Sequence, residues 1–266
     1  MPETRAAPVP DVVAAAMRLA DTVRGARREA EQARRTPAWL ADAIGRAGLY
    51  QLYLPRALGG PETPPLVGFR AIEELSRADG AVGWCAMIAS IMASHLAKLP
   101  IEVGLELAGI PADYRASGSG RPGGPTAGRA WPVAGGWRVS GQWNFASGID
   151  NARWLYCTCI VMDGDTPRMT EAGKPMLRMV WVPRDAVTIV DTWSVMGMRG
   201  TGSQDFTVED VFVPDRRSIA SDAQPVLPGA LYHPRSLVTI QCTLTVANAL
   251  GIARGAQGMV RPGDHQ

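Results

Sequence analysis

A chain of 266 residues is long enough for about two domains with separate cores. With 46% hydrophobic and 20% charged residues it is neither disordered nor fibrous. A formal net charge of +2 argues against a strong hold on nucleic acid or on an anionic membrane, because acids and bases nearly cancel.

In chain order, Met1–Pro10 has no apolar core of the kind a secretory leader carries. Asp11–Arg35 places Ala, Val, Leu and Met at helical spacing with charges between them, which predicts a long amphipathic helix. The arginines from Arg18 to Arg35 are interleaved with Asp and Glu, so they read as a solvated face rather than a basic patch. Pro37 opens a second helix, Ala38–Ala47, which Gly48 ends. Leu49–Gly60 is a connector. Pro64-Pro65 starts a third helix through Ser76, broken at Asp79-Gly80. Ala81–Leu99 is apolar nearly all round and predicts a buried helix. Ser90, Ser94 and His95 interrupt it, so no apolar run is expected to span a bilayer. A short helix, Ile101–Gly109, completes an all-helical domain, 1–111.

The texture then changes. Ser117–Thr126 reads as a Gly/Ser/Pro loop, and alternating runs follow at Trp137–Ser140, Trp154–Met162, Met176–Val182, Val187–Val190 and Asp205–Val213. They predict a sandwich or barrel over 112–217. Ser218–Pro234 is a linker and Ser236–Val260 returns to helical spacing, giving a third segment, 218–266. Cys85, Cys157, Cys159 and Cys242 are scattered and lack zinc-site spacing, so no metal is expected. Reduced thiols in a cytoplasmic protein fit best.

The stretch Gly135–Trp154, GGWRVSGQWNFASGIDNARW, carries the densest chemistry. A Gly-Gly turn enters an alternating strand, and Gly141 permits a kink or bulge. The run from Gln142 to Gly148 then combines large rings, a hydroxyl and a glycine. Rings supply stacking area, a hydroxyl and backbone N–H groups fix orientation, and glycine leaves room, as a planar heteroaromatic ligand requires. A plain core hairpin with aromatic cross-strand pairs is the other reading of the same residues.

The order helical domain, β-domain, helix resembles the acyl-CoA dehydrogenase superfamily of flavoproteins. Three runs carry the resemblance: the connector in Trp39–Gly60, the helix junction IEELSRADGAVG at Ile72–Gly83, and WSVMGMRGTGSQDFTVEDVFVP at Trp193–Pro214. The resemblance implies an α+β fold with a helical N-terminal domain, a central β-domain and a C-terminal helical domain, of which this chain holds the first helix. It therefore implies a C-terminally truncated member, since the full domain mediates homo-oligomer formation. It also places Phe145, Ala146 and Ser147 beside the flavin, with the Ser147 hydroxyl toward the N5 edge, and Ser117 and Gly118 over the pyrimidine side. Trp193 stacks on the ligand or packs in the core. Arg199, Thr201 and Ser203 cap a turn or touch the ligand, with the structural role favoured for Arg199.

Within the superfamily, dehydrogenases need a carboxylate base. The matching position on the last helix is Gln241, and Pro234–Val260 contains no Asp or Glu. The features GGWRVSGQW, Phe145-Ala146-Ser147-Gly148, GMRGTGS and Gly83-Trp84 leading to Ser94-His95 resemble instead the two-component flavin monooxygenases. That branch implies FAD or FMN delivered reduced by a partner flavin reductase, a C4a-(hydro)peroxide kept from water, and an aromatic or polycyclic substrate. Ser147 and His95 are its catalytic candidates. His95 reads equally as a core residue in an apolar helix. An acyl-CoA dehydrogenase, with an acyl substrate, and a catalytically incomplete flavin-binding subunit are the alternatives.

Overall fold

The computed structural model describes residues 11–119 and 127–258. The leader reading of Met1–Pro10, residues 120–126 of the expected loop and the Pro-Gly ending lie outside them.

Six α-helices are present among the described residues. α1 (Val12–Ala33) is capped by the Asp11 carboxylate, which accepts from the Ala14 N–H. α2 (Ala38–Arg46) follows Pro37, and α3 (Pro65–Ala78) starts at a proline that needs no N–H partner there. Asp79 ends α3 and caps α4 (Gly80–Ser94), accepting from the Ala81 and Val82 N–H groups at 2.9 and 3.0 Å. α4 is shorter than its apolar run. Leu99 precedes Pro100 and is forced into extended backbone, so the last turn, His95–Lys98, tightens to a 3-10 helix. α5 (Ile101–Ala108) closes the helical layer.

Among the described residues, two stretches are long and apolar enough to cross a membrane, Gly80–Lys98 and Pro234–Gln257, which corrects the expectation that none is. The first is mostly packed inside the helical core, as a core helix of the same composition would be.

Among the described residues, nine strands form one sheet. They are β1 (Ala116–Ser119), β2 (Arg129–Val133), β3 (Gly136–Ala146), β4 (Trp154–Asp163), β5 (Thr166–Pro167), β6 (Leu177–Pro183), β7 (Thr188–Val190), β8 (Gln204–Pro214) and β9 (Ser218–Ala220). The order is β7-β8-β3-β2-β4-β6-β9, with β1 and β5 also paired to β4. β6 and β8 are not neighbours in that order, yet Val180, Val182, Phe206 and Val208 share one core. The sheet therefore curls over on itself in sandwich fashion.

Two local readings change. Ala116–Ser119 is a buried strand running parallel to β4, not a loop. Gly118 sits at φ +141, and a Cβ there would lie 2.0 Å from the Tyr156 carbonyl oxygen, so strand approach itself demands glycine. The aromatic run of β3 is not paired within the β2 hairpin either. Within β3, β2 pairs with Gly136–Ser140, while Gln142, Trp143 and Ala146 lie opposite Thr207, Phe206 and Gln204 of β8. The expected bulge is present, a register shift between Val139 and Gly141.

α6 (Pro234–Gln257) returns to the helical layer, where Ile240, Leu244 and Ala247 join the core of α1, α3 and α4. Asn248 is buried there and donates to Ser76 Oγ and the Gly80 carbonyl, both at 2.9 Å.

Candidate functional site

β3 ends in a second irregularity, between Trp143 and Ala146, and it sorts the aromatic run into two roles. Trp143 is 1% exposed, stacks on Phe206 and donates from Nε1 to the Thr158 carbonyl. It is core. Phe145 adopts φ +63, a left-handed conformation that costs a bulky residue about 1–2 kcal/mol. That twist turns its ring out of the sheet, 61% exposed, with its edge against Trp193 at 6.2 Å between ring centres. Strain that exposes a ring is typical of a ligand-contacting position.

Trp193 is fixed by its own loop. Gln204 Oε1 accepts from the Thr192 and Trp193 N–H groups, and the indole N–H donates to the Met198 carbonyl. Met196, beside it in sequence, is fully exposed. Arg34 donates to the Trp193 carbonyl and Thr36 to the Gly200 carbonyl, clamping this loop to the corner between α1 and α2. Arg199 belongs to the same clamp, donating to the carbonyls of Glu31 and Val195.

Ser147 is 5% exposed and sits where sheet and helices meet. Trp84 of α4 donates its indole N–H to Ser147 Oγ at 3.0 Å, and Ser203 Oγ lies 2.7 Å away on the other side. Ser203 continues to Thr201 Oγ1 at 2.7 Å. Ser117 is fully buried and donates to the Ser147 carbonyl at 2.8 Å, so it shapes the turn through β1. Ala146 is buried as a whole residue, backbone included, so it supports the turn from beneath. Behind Ser147, a cleft of about 10 Å³ lined by Thr36, Tyr50, Cys85 and Asn151 holds a water at most. Burial pushes the Cys85 thiol up to about 12, so it is protonated and donates to the Thr201 carbonyl.

His95 lies apart from this cluster, eleven residues beyond Trp84 and about 16 Å farther along the helix. Its ring stacks on Tyr156 at 5.1 Å, and its Nδ1 is buried with no hydrogen-bond partner among the described residues. Burial, with Lys98 second, lowers its imidazole to about 4, so it is neutral near pH 7. Of the two catalytic candidates, Ser147 is bonded by Trp84 near the start of α4, and His95 stands just past the end of that helix. Trp84 is the site residue that sequence reasoning noted only as part of a run. Its partner lies 63 residues away, and no local pattern announces that bond.

Phe145 and Trp193 present an apolar, partly exposed ring pair, with the Ser147 hydroxyl two residues along the chain from Phe145, and such a face suits a flat tricyclic ring. The cleft lined by Ser147 is itself too small for more than a water. The fit favours flavin.

Comparison with known proteins agrees. Residues 12–100 match the model of the acyl-CoA dehydrogenase N-terminal domain. The chain is 33% identical over 246 residues to the flavin-dependent monooxygenase oxygenase subunit HsaA of Rhodococcus jostii strain RHA1, covering 90% of this chain and 61% of that one. It is 36% identical over 248 residues to the oxygenase component of the FADH(2)-dependent resorcinol hydroxylase of Rhizobium sp. strain MTP-10005, covering 90% and 58%. The crystal structure of the HsaA monooxygenase from M. tuberculosis superposes with a TM-score of 0.79 at 30% identity, covering 93% of this chain and 67% of that one. The chain thus spans about 60% of the length of these curated relatives. The overall fold coincides with that of the M. tuberculosis HsaA structure, and the chain belongs to the acyl-CoA dehydrogenase superfamily, in its flavin-dependent monooxygenase branch.

Proposed function

We propose that this chain is the oxygenase component of a two-component monooxygenase. It would take reduced FAD or FMN from a separate flavin reductase in the cytoplasm and hydroxylate a small aromatic or polycyclic substrate. The observation that carries the reading is the strained, outward Phe145 ring beside Trp193, set against a Ser147 hydroxyl that is otherwise enclosed. Bound there, reduced flavin supplies the two electrons that divide O2 between a ring hydroxyl and water.

The residues hold, orient and shield. Phe145 and Trp193 offer stacking area, Ser147 Oγ offers a hydrogen-bond acceptor, and the filled space behind Ser147 keeps bulk water from that side. Ser117 and Gly118 act indirectly, by fixing the Ser147 turn and seating β1 on β4. His95, neutral near pH 7, would act on the substrate as acid or base rather than on the flavin ring. Gln241 is exposed on α6, and α6 carries no carboxylate, so the described residues supply no dehydrogenase base there. The division at 111/112 and 217/218 belongs to the same reading. So does assembly into a homo-oligomer, supported by the exposed Val238, Val246, Leu250 and Ile252 of α6.

The test is an anaerobic titration with reduced FMN and reduced FAD, followed by O2 and a panel of phenols and fused heterocycles. Flavin binding and a hydroxylated product are expected. Ser147→Ala should divert reducing equivalents to hydrogen peroxide, and Phe145→Ala should weaken flavin binding without lowering the melting temperature. Absence of flavin binding, or dye reduction driven by an acyl-CoA, would overturn the reading.

A further inference from the structure

The hydrogen bonds around Ser147 form a chain whose direction follows from counting protons. The Met198 carbonyl only accepts, and Thr201 Oγ1 donates to it at 2.9 Å. A hydroxyl has one proton, so Thr201 has none left for Ser203, and Ser203 is the donor in their 2.7 Å contact. By the same count Ser147 is the donor in its 2.7 Å contact with Ser203. At the other end the Trp84 indole can only donate, and it does so to Ser147 Oγ at 3.0 Å. Every bond points from Trp84 toward Met198, and aligned bonds strengthen one another. Ser147, Ser203 and Thr201 are all buried, so water does not readily reverse the chain. Among the described residues, Ser147 Oγ has spent its proton and one lone pair. One lone pair remains.

We propose that this one-way chain makes Ser147 a fixed hydrogen-bond acceptor and thereby makes the site select reduced over oxidised flavin, with Ser203 and Thr201 as positioning residues. The inference rests on the flavin reading above. The central ring nitrogen of a flavin carries N–H when reduced and a bare lone pair when oxidised. A locked acceptor satisfies the first and opposes the second. A hydroxyl free to rotate would serve both. An oxygenase that must capture reduced flavin and release the oxidised form gains from that asymmetry, with no contact other than the polarity of one oxygen.

The experiment measures dissociation constants for FMN and FAD in both oxidation states, the reduced form under dithionite and argon. The readout is the ratio of oxidised to reduced constants. Thr201→Val removes the end of the chain without touching Ser147, leaving Ser203 and Ser147 free to reverse. The ratio should fall by about three- to tenfold, the worth of one hydrogen bond exchanged for one repulsion. Ser203→Ala should lower it similarly, and Ser203→Thr should restore it. Trp84→Phe removes a donor but leaves the proton of Ser147 committed to Ser203, so the ratio should hold even if both constants weaken. A role in packing alone would weaken both oxidation states together in every variant. An unchanged ratio in Thr201→Val and Ser203→Ala overturns the inference while wild-type binding leaves the flavin reading standing. A wild-type chain that binds neither state overturns both.

Discussion

Gly251→Ala should destabilise this chain even though alanine is the better helix former. A Cβ at Gly251 would fall 2.4 Å from the Glu73 carbonyl oxygen and 2.5 Å from the Ser76 Cβ, more than an ångström inside ordinary contact. Both belong to α3, whose backbone cannot swing aside as a long side chain can. α6 must therefore lift, and overpacking of this kind costs about 1–3 kcal/mol. The lift also stretches the bonds from Asn248 to Ser76 Oγ and the Gly80 carbonyl, a buried amide worth about 1–3 kcal/mol if stranded. Helix propensity returns about 1 kcal/mol. The net expectation is a loss of about 1–5 kcal/mol. Gly25 is the matched control, since it lies in α1, is exposed, and has nothing within 4 Å of its would-be Cβ. Gly25→Ala should stabilise by up to about 1 kcal/mol. Thermal unfolding followed by far-UV circular dichroism separates the two, at about 2–4 °C per kcal/mol for a chain near this size. If Gly251→Ala raised the melting temperature as Gly25→Ala does, α6 would not be seated on α3.

Two further outcomes follow from geometry and charge. His95 titrates near 4 when folded against an ordinary 6.5, so the unfolded chain takes up the proton first. Its contribution is complete above pH 6.5 and is lost as pH falls from 6.5 toward 4. At pH 5 the loss is about 2 kcal/mol, and it should vanish in His95→Phe; equal acid sensitivity in both proteins, by denaturant titration at two pH values, would refute it. Gly118→Ala combines a φ of +141 with a Cβ 2.0 Å from the Tyr156 carbonyl oxygen, and it should break the β1–β4 pairing. Loss of soluble protein or a several-kcal/mol drop is expected; a native-like unfolding midpoint would show that β1 does not pair as described.

Much of this fold was legible because its punctuation is chemical. Asp11, Pro37, Pro65 and Asp79 each mark a helix start by a mechanism that needs no tertiary context. β1 was not legible. Its composition, Ala-Ser-Gly-Ser, is that of a connector, and the reason for small residues is a strand nearly forty positions later. The site divided in the same way. The run Phe145-Ala146-Ser147 was legible as a candidate turn, but the left-handed backbone at Phe145 and the reach of Trp84 arise only when α4 lies across the end of β3. His95 shows the same limit, because the ring it stacks on, Tyr156, lies in a strand far along the chain that no local pattern announces.

Trp84 stands in the helical layer, whereas Ser147, Ser203 and Thr201 stand in or beside the sheet. The hydrogen-bonded cluster is therefore a property of the joint between them and is absent from either half alone. Arg34 on the Trp193 carbonyl and Thr36 on the Gly200 carbonyl hold that joint without entering the cluster. Variation at that corner would retune the proposed flavin site while the groups proposed to face the ring stay the same.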